Sequence, residues 1–126
     1  MSNPNIIGVS SIVGNTSSFL VSTTDNPFAT AMVNNASGSN KIYKINSIVV
    51  ANVSSSACNV TIKLFPQDDL AGTGVAIAST ISVPAYASLI VLDRTTTMYL
   101  LEDKSLGIIA GTANALTVTT SWDEMS

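Results

Sequence analysis

The feature that most constrains this chain is an alternation of side chains with a period of two residues. Near the C-terminus, Leu116, Val118, Thr120 and Trp122 fall on one side of an extended backbone, and Thr117, Thr119 and Ser121 on the other. The pattern returns at Val60, Ile62 and Leu64, set against Thr61 and Lys63, and again at Leu106, Ile108 and Ala110. Val75, Ile77, Ser79, Ile81 and Val83 make a further single-faced row. Successive side chains of a strand point to opposite faces, so each row predicts a strand with one face in a core. The i, i+3, i+4, i+7 spacing of an amphipathic helix is missing from any comparable length of chain. Threonine suits the outward positions of an uncharged sheet, being β-branched, stiff at χ1 and hydroxylated.

Turn chemistry separates the rows at intervals of about 8–12 residues, the spacing of a sandwich or barrel. Pro66-Gln-Asp-Asp-Leu-Ala-Gly72-Thr-Gly74 reads as a longer loop, and Pro84-Ala-Tyr86-Ala as a short hairpin-like connection between residues 81–83 and 89–92. Asp93-Arg94-Thr95-Thr96, Glu102-Asp103-Lys104 and Gly111-Thr-Ala-Asn114 read as polar turns. The expected fold class is all-β, a two-layer antiparallel β-sandwich of about 7–9 strands. A length of 126 residues fits a single domain. Residues 41–126 form the β-sandwich domain in this reading, and 1–40 an N-terminal arm or extra strands. Within 1–40, the β-prone pieces are 6–13, 19–22 and 28–33. They are expected either as further strands of the same sandwich or as an extended arm pairing with a neighbouring subunit by strand addition.

Charge is scarce. The chain has 5 Lys and Arg against 8 Asp and Glu, net −3, so 10% of it is charged where about 25% is usual. With 46% apolar residues it is too apolar for disorder, and Ser, Thr and Asn supply the polar surface. Without a basic patch, nucleic-acid binding lacks its main driving term. The apolar runs all fall short of the roughly 18–20 residues that cross a bilayer as a helix, so no membrane partner is expected. The first residues, Met1-Ser-Asn-Pro-Asn-Ile-Ile, have no positive segment, and no secretory signal is expected there. All but one of the charges, Asp25, lie beyond residue 40. A free monomer keeps more charge for solubility, so the deficit predicts a homo-oligomer.

Histidine is absent and Cys58 is the only cysteine. That removes an internal disulfide, Cys/His zinc spacing, and the Ser-His-Asp and Cys-His arrangements of nucleophilic catalysis. Cys58 itself reads as a small buried hydrophobe. Three acidic pairs stand out: Asp68/Asp69, Glu102/Asp103 and Asp123/Glu124. Carboxylates held across a substrate hydrolyse glycosides, and clustered oxygens take calcium. These pairs are sequence neighbours in turns or near the terminus, and they read as solvated loop charge. Gly72-Thr-Gly74 lacks the third glycine and following helix of a phosphate cradle. Asn15, Asn35, Asn52 and Asn59 open glycosylation sequons that a chain rich in Asn, Ser and Thr produces by chance. Trp122 is in phase with the core row. Tyr86, at a turn, reads as solvent-facing, and it or Tyr43 is the aromatic that a glycan would use. The expectation is no catalytic residue, no metal and no cofactor.

Five stretches carry a family resemblance. They are Lys41-Ile-Tyr-Lys-Ile-Asn-Ser-Ile-Val-Val-Ala-Asn-Val53; Asn59-Val-Thr-Ile62; Ile81-Ser-Val-Pro-Ala85 with Ser88-Leu89 and Leu92-Asp93; Met98-Tyr-Leu-Leu-Glu-Asp103; and Ala113-Asn114 through Ser126. Together they resemble small β-rich virion structural proteins of tailed bacteriophages, of the cyanophage and marine-phage type. The resemblance runs from Lys41 to the end, more loosely before it, and its motifs mark strands and turns. It implies a non-enzymatic particle component, first a capsid decoration (cement) protein that stabilises the shell. A neck, tail or fibre-base protein and a glycan-binding receptor-recognition module are the alternatives. The implied partners are the chain itself, as a homo-oligomer such as a trimer, and the major capsid protein or other virion proteins. The implied location is the virion, after synthesis in the host bacterial cytoplasm.

Overall fold

The rows of alternating residues become strands because each can set its apolar side against the same core. The computed structural model describes residues 8–22, 24 and 31–126; the expected pieces at 6–13 and 28–33 lie partly outside that set. The strands are β1 (Ile12–Leu20), β2 (Ala31–Asn35), β3 (Ile42–Asn52), β4 (Cys58–Phe65), β5 (Val75–Val83), β6 (Ser88–Leu92), β7 (Met98–Leu100), β8 (Lys104–Ala110) and β9 (Leu116–Met125). One 3-10 turn, Asp68–Leu70, sits between β4 and β5.

The first sheet runs β1-β9-β3, with β6 and β7 end to end along the far side of β3; the second runs β2-β8-β4-β5. Every pairing is antiparallel. The pairs nest like the two arms of one long hairpin: β1 with β9, β2 with β8, β3 with β6 and β7, β4 with β5. Rolling that hairpin onto itself brings β9 against β3 and β8 against β4. This connectivity is a jelly roll, two Greek keys closed into a sandwich. The expected all-β sandwich is therefore the observed fold, and β1 and β2 join the same two sheets as the strands after Lys41.

Between the sheets the core is aliphatic. The first sheet contributes Ile45, Ile48, Val50, Leu116 and Val118, and the second Val60, Ile62, Leu106 and Ile108, all fully buried. Burying each such side chain is worth about 1.5–3 kcal/mol. The rows read in β4, β8 and β9 face this core as expected, and Cys58 is buried beside them.

Two expectations are corrected. The row Val75 to Val83 is not single-faced: Ala78 and Val83 are buried while Val75 and Ile81 are exposed. Pairing with β4 slips twice, between Ile62 and Lys63 and again between Val60 and Ile62, where Thr80 takes a positive φ of 50°. Each extra residue shifts the phase of the alternation, so Ala78, which lies outside the row, takes the inner place opposite Ile62. The segment at Pro84-Ala-Tyr86-Ala is a crossover rather than a hairpin, because β5 belongs to one sheet and β6 to the other. Ala87 N donates to Pro84 O at 3.1 Å, and Tyr86 turns the chain with a positive φ.

Two asparagines pin the sheets together at opposite ends. Asn35, at the end of β2, donates through Nδ2 to Lys41 O (2.9 Å) and Leu100 O (3.0 Å), so it ties the second sheet to β7 of the first. Asn52, at the end of β3, donates to Ser56 O (2.8 Å) and Val83 O (2.9 Å), tying the first sheet to β5 of the second. Both are buried. Burial excludes a glycan at either, so these two sequons are chance matches.

Candidate interaction surfaces

Three regions carry the polar and exposed groups that a function would use. The first is the end of the sandwich where the β2–β3, β4–β5 and β7–β8 loops meet. Two of the acidic pairs, Asp68/Asp69 and Glu102/Asp103, converge there; against the expectation of solvated loop charge, Glu102 is buried, and each carboxylate accepts a hydrogen bond. Ser37 N donates to Asp68 Oδ2 (2.8 Å), Asn34 Nδ2 to Asp69 Oδ1 (2.9 Å), Asn40 N to Glu102 Oε2 (2.6 Å) and Asp68 N to Asp103 Oδ1 (3.1 Å). These acids hold turns in place, since bonds from backbone N–H to carboxylate are among the stronger ones. Among the described residues no group of three or more His, Cys, Asp or Glu is placed to hold a metal. Gly72-Thr-Gly74 also has a local purpose. Gly72 has φ +86°, and a Cβ there would lie 2.6 Å from Pro66, while one on Gly74 would lie 2.9 Å from the Phe65 ring.

The third acidic pair lies apart, on β9. Glu124 accepts from Lys41 at 3.4 Å and stands beside Tyr43, which stacks on Trp122 with centroids 6.3 Å apart. Tyr43 is thus buried, and of the two aromatics suited to a glycan only Tyr86, 74% exposed, faces solvent. Burial first, then the charge of Glu124 and a hydrogen bond to it, raise the Tyr43 phenol above its ordinary value. A raised pKa means the folded chain holds this proton more tightly than the unfolded one. Its contribution is full below the unfolded value of 10.0 and is lost as pH climbs through the folded value. Stability is therefore expected to fall in alkali, and Tyr43→Phe to flatten that fall. Denaturant melts of both proteins across the alkaline range check this; parallel curves would refute it.

The second region is an open groove of about 180 Å³ on the outside of the second sheet, lined by Asn59, Thr61, Thr80, Ile109 and Gly111 among others. Thr61 Oγ1 accepts from Thr80 N (3.0 Å) and so stabilises the bulge. Its walls carry hydroxyl and amide groups, without a charge or an aromatic ring.

The third region is the outer face of the first sheet. Register places Leu20, Thr117, Ala51 and Ser88 in one row, Ser18, Thr119, Val49 and Ile90 in the next, and Thr16, Ser121 and Ser47 in a third. None is charged; the face meets charge only at its end, where Asp123 pairs with Lys44. The hydroxyls satisfy one another, Thr16 with Ser121 and Ser18 with Thr119, each at 3.1 Å. A face that pairs four of its hydroxyls internally and also exposes Leu20 and Ile90 is less costly to desolvate than a charged one. Sequence reading located the Thr/Ser side of β9 but not this sheet-wide arrangement, since β1, β3 and β6 contribute through pairings that one strand does not reveal.

No protein-family profile matches the sequence, and a search of curated proteins finds no match.

Proposed function

We propose that this chain is a non-enzymatic structural subunit of a tailed-phage particle, a capsid decoration protein that packs on the shell and strengthens it. Its partners in this reading are further copies of itself and the major capsid protein. The observation that supports it best is the outer face of the first sheet, uncharged except at its Lys44–Asp123 end, which suits burial against a neighbour better than permanent exposure. The sequence resemblance running from Lys41 onward points to the same class, and jelly rolls are a common architecture of viral shell and lectin domains.

The test is a phage in which this gene is deleted. Particles without the protein are expected to assemble, and then to lose their DNA at a lower temperature or lower ionic strength than complete ones. Restoring the purified protein is expected to restore their resistance. Particles that fail to form tails, or that form normally but do not adsorb, would overturn the shell assignment in favour of a neck, tail or receptor-binding role.

A further inference from the structure

A jelly roll has four sheet edges, and three of them here are blunted. β2 runs over five of the described residues and its pairing with β8 slips. β5 carries the Thr80 bulge. The β6–β7 edge is broken by the turn at Asp93, whose carboxylate accepts from Thr95 N (2.9 Å) and Thr95 Oγ1 (2.6 Å). Bulges, breaks and short strands are the usual means by which an edge avoids pairing with another chain. The fourth edge, β1, has none of them. It pairs with β9 through nine consecutive positions without a slip, and it contains neither charge nor proline.

β1 is also poorly covered. Not one of its residues is buried; Ile12 is 66% exposed, Val13 51% and Leu20 46%. Its free backbone groups follow from its hydrogen bonds to β9. Val21 donates to Leu116 O and accepts from Asn114 N, and Ser11 accepts from Ser126 N. Odd-numbered residues therefore face β9, and by the alternation of an antiparallel ladder the N–H and C=O of Ile12, Gly14, Thr16, Ser18 and Leu20 face outward. Among the described residues nothing pairs with them.

The sequence of this strand is a chemical palindrome about Thr16. Reading outward from it, Asn15 mirrors Ser17, Gly14 mirrors Ser18, Val13 mirrors Phe19 and Ile12 mirrors Leu20. We infer that β1 pairs antiparallel with β1 of a second copy across a two-fold axis at Thr16, joining the two first sheets into one. In that register every outward N–H and C=O meets a partner, Ile12 lies opposite the second copy's Leu20, and Val13 opposite its Phe19. A two-fold sets like against like, so a charge near its centre would face its own copy. The absence of charge is what self-pairing requires and what an unlike partner would not. The pairing rests on the self-association in the virion reading but makes it a two-fold pair in place of a trimer, and it is tested on the isolated chain so that each fails separately.

The full chain is expected to sediment as a dimer or a larger even assembly. Thr16→Lys brings two ammonium groups together at the axis and is expected to weaken association at least about tenfold, with an unchanged circular dichroism spectrum. Ile12→Lys alone should also weaken it, whereas Ile12→Lys with Leu20→Glu should restore it by placing opposite charges across the axis. Thr16→Cys sets two Cα atoms about 5.5 Å apart, a span a disulfide bridges, so mild oxidation should link the copies. Ser121→Cys, one strand inward, should not, and Cys58 is buried. A monomeric wild type, association that survives Thr16→Lys, or a Thr16→Cys chain that stays unlinked would each overturn the pairing. A monomer still found in particles would leave the virion assignment standing.

Discussion

Asn35→Ala is expected to lower stability by about 3 kcal/mol, because it removes the partners of the buried Leu100 O and the partly buried Lys41 O. For a domain of this size that is a fall of roughly 10 °C in the thermal midpoint. Asn35→Asp changes almost no volume and should cost more, since it replaces two donors with acceptors facing acceptors. The same logic applies to Asn52, whose Nδ2 serves Ser56 O and Val83 O. Urea unfolding measures both sites. Losses below about 1 kcal/mol at either would mean the sheets are not held at that end by the amide.

The second large effect is in the core. Ile62 on β4 is fully buried between Ala78 on β5 and Ile108 on β8. Ile62→Ala removes apolar contact and leaves a cavity, at a cost of about 2–5 kcal/mol, a large share of the 5–15 kcal/mol that domains possess. Ile90→Ala makes the same chemical change on the outer face of β6, where Ile90 is 62% exposed, and should cost little more than about 0.5 kcal/mol in the monomer. Equal losses for the two would contradict the assignment of inner and outer faces.

The sheet architecture was legible where a strand alternates without interruption. Leu116 to Trp122 and Val60 to Leu64 state their inner faces outright, because a period of two has one reading. β5 was not legible, since the flip depends on Thr80 adopting a positive φ, a conformation that threonine does not advertise. The crossover at Pro84 was missed for a related reason: a short turn looks the same whether the next strand pairs back or changes sheet. The asparagine pins were hidden in loop-like and sequon-like runs, and their importance comes from Leu100 and Val83, distant in sequence. The acidic pairs read as solvated loop charge, yet Glu102 is buried and Asp123 and Glu124 are half-buried in β9; the bonds to Ser37, Asn34 and Asn40 appear only once distant segments meet. The palindrome in β1 is present in the sequence, and it acquires meaning only when β9 is seen to occupy one side of the strand and nothing the other.

We propose a structural role for this chain on the shell of a phage particle, and quantitative mass spectrometry of purified virions, with cryo-electron microscopy of the same preparation, tests that role most directly. The protein is expected in high copy number, in fixed proportion to the major capsid protein, with jelly-roll density on the outer surface of the shell. Its absence from purified particles, or a presence confined to a few copies at the neck or tail, would contradict a role on the shell.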